Sequence, residues 1–206
     1  MDATIRRLTD LSELTALVHG FACRDQGRWE ELTTLFWPGA PLSISWFKGV
    51  VEDFVRRSRL QAEAGRMQVK HLIGTPRLVI EGHRAIGDTD VTIMLRGAVG
   101  AAQTLVDVVS YARFVDTFEK RDGAWRIASR TAVYEKDRAD AVESGTPIAW
   151  STPAEIAAGF CPNYRALSLL MAEGGVAVGN DAIVQGSAES LDLMAACQSW
   201  ISGDPE

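Results

Sequence analysis

Moving a proton without a metal needs a base that is neutral near pH 7 and a group that orients it. The chain offers three histidines for the first role. His19 lies two residues before Phe21, about 200° around a helix from the apolar face, and reads as solvated. His83 stands in the turn sequence Glu81-Gly82-His83-Arg84 and reads as exposed. His71 sits between Val69 and Ile73 in an apolar strand, where an imidazole needs a partner. It is either a core histidine satisfied by one hydrogen bond or a base. For the second role, Asp25 follows Leu14, Val18 and Phe21 at helical spacing, which puts a carboxylate on an apolar face. A buried carboxylate is costly unless something donates to it. An imidazole N–H would supply that donor, fix the tautomer and leave the other ring nitrogen as a base. Such chemistry calls for neither metal nor cofactor.

Other chemistries find less support. The chain contains no GxSxG, HExxH, Walker or GxGxxG motif. Gly174-Gly-Val-Ala-Val-Gly179 is glycine-rich but lacks the Lys-Ser/Thr of a phosphate loop, and reads as a plain loop. His71 and Asp25 alone are too few ligands for a metal site. Cys23, Cys161 and Cys197 are odd in number and lack CxxC spacing, which argues against disulfides and zinc; Cys23 faces away from Asp25 and reads as inert. A net charge of −6 disfavours nucleic acid as a partner, and no apolar run reaches the roughly 20 residues of a membrane span. The N-terminus, MDATIRRLTD, lacks the apolar stretch of a signal peptide, so the expected compartment is the cytoplasm.

The elements that must position these groups fall into three blocks. Up to residue 25 the pattern is an amphipathic helix, with Asp10 and Glu13 at the spacing of a capping box. Trp29 to Phe36 suggests a short helix ended by Pro38-Gly39, Leu42 to Trp46 a short strand, and Val50 to Gln61 a further helix. From Met67 the texture turns to strands: 67–81 with a break at Gly74-Thr-Pro76, then 85–98, 105–120 and 125–134, the last two joined by the Asp122-Gly123 hairpin turn. Helices first and hairpin-linked strands after predict an α+β fold with a mostly antiparallel sheet. Beyond residue 138 come helical pieces near Pro153–Gly159, Tyr164–Glu173 and Ser187–Ser202, the first opened by a capping box at Thr152-Pro153-Ala154-Glu155. Their leucines carry too much apolar surface to stay disordered. We therefore expect residues 1–138 to form one α+β domain and 139–206 a helical extension that packs on it or on a neighbouring subunit.

Three pieces in order carry a resemblance: Asp25-Gln-Gly-Arg-Trp29, Lys70-His71-Leu-Ile-Gly74, and Phe114 to Arg130 around the hairpin. Together they resemble SnoaL-like proteins of the nuclear transport factor 2-like superfamily, over about residues 5–138. The resemblance implies a cone-shaped fold, with helices packed on a strongly curved sheet. It implies too that Asp25 and His71 stand where dehydratases and dehydrochlorinases of the superfamily carry a catalytic Asp–His pair. It further implies a tendency to form homo-oligomers.

The expected function is that of a cofactor-independent lyase. Dehydration, or loss of formaldehyde from an arylpropane diol, would act on a hydroxylated aromatic or polycyclic small molecule. Isomerase or cyclase chemistry, or a non-catalytic binding or assembly module of the same fold, are the alternatives. The expected cavity wall includes Phe21, Tyr134 and one of Trp46 and Phe47, with Trp46 taken as the substrate-facing residue. Tyr111, with Arg113 on the same strand face, joins the wall if the register matches that of the dehydratases. Asp116 and Arg130, on the two arms of the hairpin, read as a structural ion pair. Strand 105–120 is apolar on both faces, which predicts a homo-dimer or trimer through the outer sheet face or the tail.

Overall fold

The computed structural model describes residues 3–203. Helix α1 (Ala3–Gly20) runs into a 3₁₀ turn (Phe21–Gln26), followed by α2 (Trp29–Thr34), the short strands β1 (Pro41–Ile44) and β2 (Phe47–Val50), and α3 (Val51–Ala64). Then come β3 (Met67–Ile73), β4 (Arg77–Glu81) and three long strands, β5 (Arg84–Val99), β6 (Thr104–Arg121) and β7 (Ala124–Ala141). The tail holds α4 (Ala154–Ala158), a 3₁₀ turn (Pro162–Tyr164), α5 (Arg165–Glu173), β8 (Ile183–Val184) and α6 (Ala188–Ser202). This is the expected α+β architecture.

The long strands make the frame. β5 pairs β6 and β6 pairs β7 antiparallel over almost their full lengths, and β3 and β4 lie end to end along β5. The Gly74-Thr-Pro76 break separates β3 from β4, as the sequence suggests. Asp122 (φ 51°) and Gly123 (φ 81°) adopt the left-handed conformations of a type I′ hairpin turn, whose twist matches that of the strands it joins. Two pairings are parallel, β1 with β7 and β8 with β7, so the sheet is mostly rather than wholly antiparallel.

Alternation assigns the faces. On β6, Val106, Val108, Ser110, Ala112, Phe114, Asp116 and Phe118 point to the concave side, and all are buried beneath the N-terminal helices or the tail. Irregularities between Tyr111 and Ala112 and between Thr117 and Phe118 bend the β6–β7 ribbon, which curves the sheet into a cone. Inside it, Arg130 donates twice to Asp116, at 2.7 Å each, with both side chains fully buried. The expected cross-strand ion pair is therefore present. The guanidinium also lies over Phe114 (4.2 Å) and Phe21 (4.7 Å), so the pair is sandwiched by aromatic faces.

Asp10 does not cap a helix. α1 begins a full two turns earlier, and the Asp10 carboxylate instead accepts from Lys120 Nζ (2.6 Å) and Trp125 Nε1 (2.7 Å), tying α1 to the hairpin. Thr152 likewise caps nothing, because Pro153 itself is the first residue outside α4.

The tail divides between the two faces of the sheet. α5 buries Leu167, Leu169, Leu170 and Met171, and packs on β5, β6 and β7. α6, capped by Ser187, lays Cys197 and Ile201 against Ile86, Val115 and Val133 on the convex side, as a separate small core. Arg84 Nη1 holds its end by donating to the carbonyls of Trp200 and Gly203, both at 2.8 Å. Burying each such large side chain contributes roughly 1.5–3 kcal/mol, enough to hold both helices in place.

Candidate active site

The 3₁₀ turn and β3 bring the two sequence candidates together. Gly27 (φ 68°) ends the turn in the left-handed conformation that its missing side chain permits, and it leaves Asp25 facing β3. The Asp25 carboxylate accepts twice from His71: Oδ1 from ring Nδ1 at 2.8 Å and Oδ2 from the backbone amide at 2.6 Å. Both carboxylate oxygens are thus engaged by one residue, and the imidazole is fixed in position and tautomer. Nδ1 carries the proton, so Nε2 is the ring nitrogen with a free lone pair.

Burial sets the protonation states. Removal from water pushes the His71 imidazole down from its ordinary value; the Asp25 bond opposes this, and the nearby charges of Arg24 and Arg130 add to the lowering. Burial alone would push the Asp25 carboxyl up. The two His71 hydrogen bonds, the attraction of the ring and the Arg24 charge together outweigh it and hold Asp25 below the usual carboxylate range. At neutral pH the pair is therefore carboxylate and neutral imidazole, a base in its working form.

The pair lines a cavity of about 300 Å³ at the mouth of the cone. Phe21 stands edge-on to His71 with ring centroids 5.5 Å apart, and Phe54 stacks on Phe21 from the other side. Trp46 faces the cavity, while Phe47 is turned into the core at 5% exposure, which separates the two neighbours as only one short hairpin can. Tyr134 is also on the wall, its hydroxyl donating to Ser45 Oγ (3.0 Å) and accepting from the Ser45 amide (3.2 Å). α5 adds Leu167 and Met171 to the wall. Among the described residues no group of three or more His, Cys, Asp or Glu is placed to hold a metal ion.

Two expected wall residues lie elsewhere. Tyr111 and Arg113 are odd-numbered on a strand whose even-numbered side chains fill the cone, so they point to the convex side. Tyr111 lies in a shallow outer groove beside Leu72 and Thr92, with Lys136 Nζ 5.4 Å from its ring. Arg113 donates to Asp88 (2.6 Å) and Gln185 (2.6 Å), clamping the tail to the outside of the sheet. Neither reaches His71.

The structure adds groups that the sequence did not single out. Arg24 lines the cavity with its side chain only 10% exposed, its Nη1 3.7 Å from Asp25 Oδ1 and its guanidinium 5.9 Å from the Trp46 ring. Its one signal in the sequence is adjacency to Asp25 in a turn too tight to direct both side chains away. Ser45 and the α5 residues had no local signal, because their place depends on pairings with β7.

A family model described as a SnoaL-like domain matches residues 6–131, and the chain belongs to that family. Pea pathogenicity protein 2 of Fusarium vanettenii is 30% identical over 129 residues, which cover 61% of this chain and 54% of that protein. The chain thus spans about half the length of that relative. Among solved structures, a scytalone dehydratase-like protein from Novosphingobium aromaticivorans superposes with a TM-score of 0.56 at 18% identity, covering 72% of this chain and 99% of that one. A hexachlorocyclohexane dehydrochlorinase of type 3 from Novosphingobium barchaimii gives a TM-score of 0.56 at 18% identity, over 70% and 99% of the two chains. The likeness to these neighbours is one of fold.

Proposed function

We propose that the chain is a cofactor-independent lyase in which His71 is the base and Asp25 its orienting partner. The observation that carries this reading is the Asp25–His71 pair itself, bonded at 2.8 Å on the wall of the cavity, with Nε2 free. Nε2 would take a proton from the carbon next to the one bearing the leaving group. The freed electron pair forms the double bond as the C–O bond breaks, and the departing oxygen recovers the proton from the imidazolium, leaving as water. Asp25 stabilises the imidazolium between the two transfers. The aromatic wall of Phe21, Trp46, Phe54 and Tyr134 favours a flat, cyclic, hydroxylated substrate, and about 300 Å³ sits at the lower end of small-molecule sites. The two structural neighbours described as a dehydratase and a dehydrochlorinase are eliminators by name, which supports elimination over isomerisation.

The test is incubation with a panel of hydroxylated aryl and alicyclic compounds, reading loss of water or formaldehyde by mass spectrometry. Turnover is expected in the native protein and is expected to vanish in His71→Ala. A folded His71→Ala protein with native turnover refutes the assignment.

A further inference from the structure

The cavity contains a cation whose hydrogen bonds are unmade. Arg24 is nine-tenths buried, yet none of its guanidinium N–H groups donates to an acceptor among the described residues. Its approach to Asp25, at 3.7 Å, is an ion-pair distance and not a hydrogen bond. Each Asp25 carboxylate oxygen accepts one hydrogen bond from His71, and neither accepts one from Arg24. Burying an ion is costly unless its donors are satisfied; among the described residues none accepts from Arg24, whose guanidinium instead keeps access to the cavity. Ser58 Oγ, buried on the same wall, has no hydrogen-bond partner among the described residues, and Ser45 has a further donor to give. Ser45 Oγ accepts from Tyr134, so its own proton is free, and no acceptor for it exists among the described residues. Ser45 and Arg24 line the same cavity, and the Arg24 charge is felt by the Tyr134 hydroxyl to which Ser45 is bonded.

We propose that Arg24 and Ser45 form a carboxylate-binding subsite, and that the substrate is a cyclic or aryl carboxylic acid held there while His71 Nε2 meets its carbon skeleton. A guanidinium is a planar fork that matches the two oxygens of a carboxylate. A neutral carbonyl would fill one or two donors and leave the charge uncompensated. The need for an anion grows during turnover. When His71 takes up a proton, it draws Asp25 more strongly, and the Arg24 charge is left without a counterion unless the substrate brings one. The inference rests on the cavity being a small-molecule site, and the test separates the two.

Binding is read by quenching of intrinsic tryptophan fluorescence, since Trp29 and Trp46 line the cavity, and by calorimetry at pH 7. The probes are 3-phenylpropanoate, 3-phenylpropanamide and 3-phenylpropan-1-ol, with the cyclohexyl counterpart of each. The native protein is expected to bind the acids about tenfold or more tighter than the amides, as a charge-assisted bidentate pair requires. In Arg24→Met that preference is expected to disappear while amide binding persists. Ser45→Ala is expected to reduce it about threefold, by loss of one hydrogen bond. Equal binding of acid and amide by the native protein overturns the subsite but leaves the cavity reading standing. So does an undiminished acid preference in folded Arg24→Met or, if that variant does not fold, in Arg24→Gln, which keeps a polar side chain and loses the charge. Failure of all six probes to bind overturns both.

Discussion

Replacing Asp25 by Asn alters a single atom, and its consequence follows from where the two hydrogen bonds go. Asp25 accepts from both the amide and Nδ1 of His71, so an amide side chain can keep only one of these bonds. If its oxygen stays on the backbone N–H, its NH₂ donates to Nδ1, the ring proton moves to Nε2, and the base is lost. We expect Asp25→Asn to remain folded and to lose about 10²–10⁴ in turnover, the range for one general base. Measured turnover within about threefold of native, well short of that range, removes the orienting role. The native protein should also keep its activity on acidification past the point where an ordinary histidine protonates, because burial holds the His71 pKa below 6.5. The sign for stability is the same. Between the depressed folded value and 6.5 the unfolded chain binds the extra proton, so the His71 contribution falls as pH drops through that window. The Asp25 contribution, depressed below 3.8, is lost only as pH falls further. An acid limb of kcat/KM at or above 6.5 contradicts this arrangement.

At the scale of elements, α5 has the most direct effect on the site. Leu170 is fully buried against Gly97, and its neighbours Leu167 and Met171 face the cavity. Leu170→Ala is expected to cost about 2–5 kcal/mol, the usual range for such a truncation, measurable as a shift in urea midpoint. A change below about 0.5 kcal/mol, the scale of a surface substitution, means that α5 is not anchored there. The same elements mark how far the sequence could be read. Helix and strand positions followed from periodicity and from the Asp122-Gly123 turn, and the three tail helices lie close to the pieces expected near 153–159, 164–173 and 187–202. Asp25 and His71 were legible because a polar group on an apolar face stands out against its neighbours. Tyr111 and Arg113 were misplaced because alternation tells which residues share a face but not which face is concave. Asp10 was misread for a related reason: capping spacing is local, whereas its partners Lys120 and Trp125 lie more than a hundred residues away. Arg24 was invisible because its importance is the lack of a hydrogen-bond acceptor among the described residues, which only a folded surrounding reveals.

For the whole molecule, the convex face is divided between a part covered by α6 and a part left open. Met94 and Val109, cross-strand neighbours in register, lie half-buried on the open part, near exposed Leu105. Self-association as a dimer or trimer through this strip is the expected state, with light scattering at micromolar concentration as the check. Val109→Lys should shift it to monomer, and a native protein that is already monomeric rejects the idea. The placement of α5 has a further consequence, one of time rather than energy. A ribosome delivers the three long strands well before residues 165–173, and strands that pair with their sequence neighbours can assemble as soon as they emerge. The nascent cone must therefore wait with its aromatic interior open to water until Leu167 and Met171 arrive. During synthesis the chain carries its own unfinished site as a sticky surface, and the interval before α5 emerges is when a chaperone, or another nascent copy, would find it.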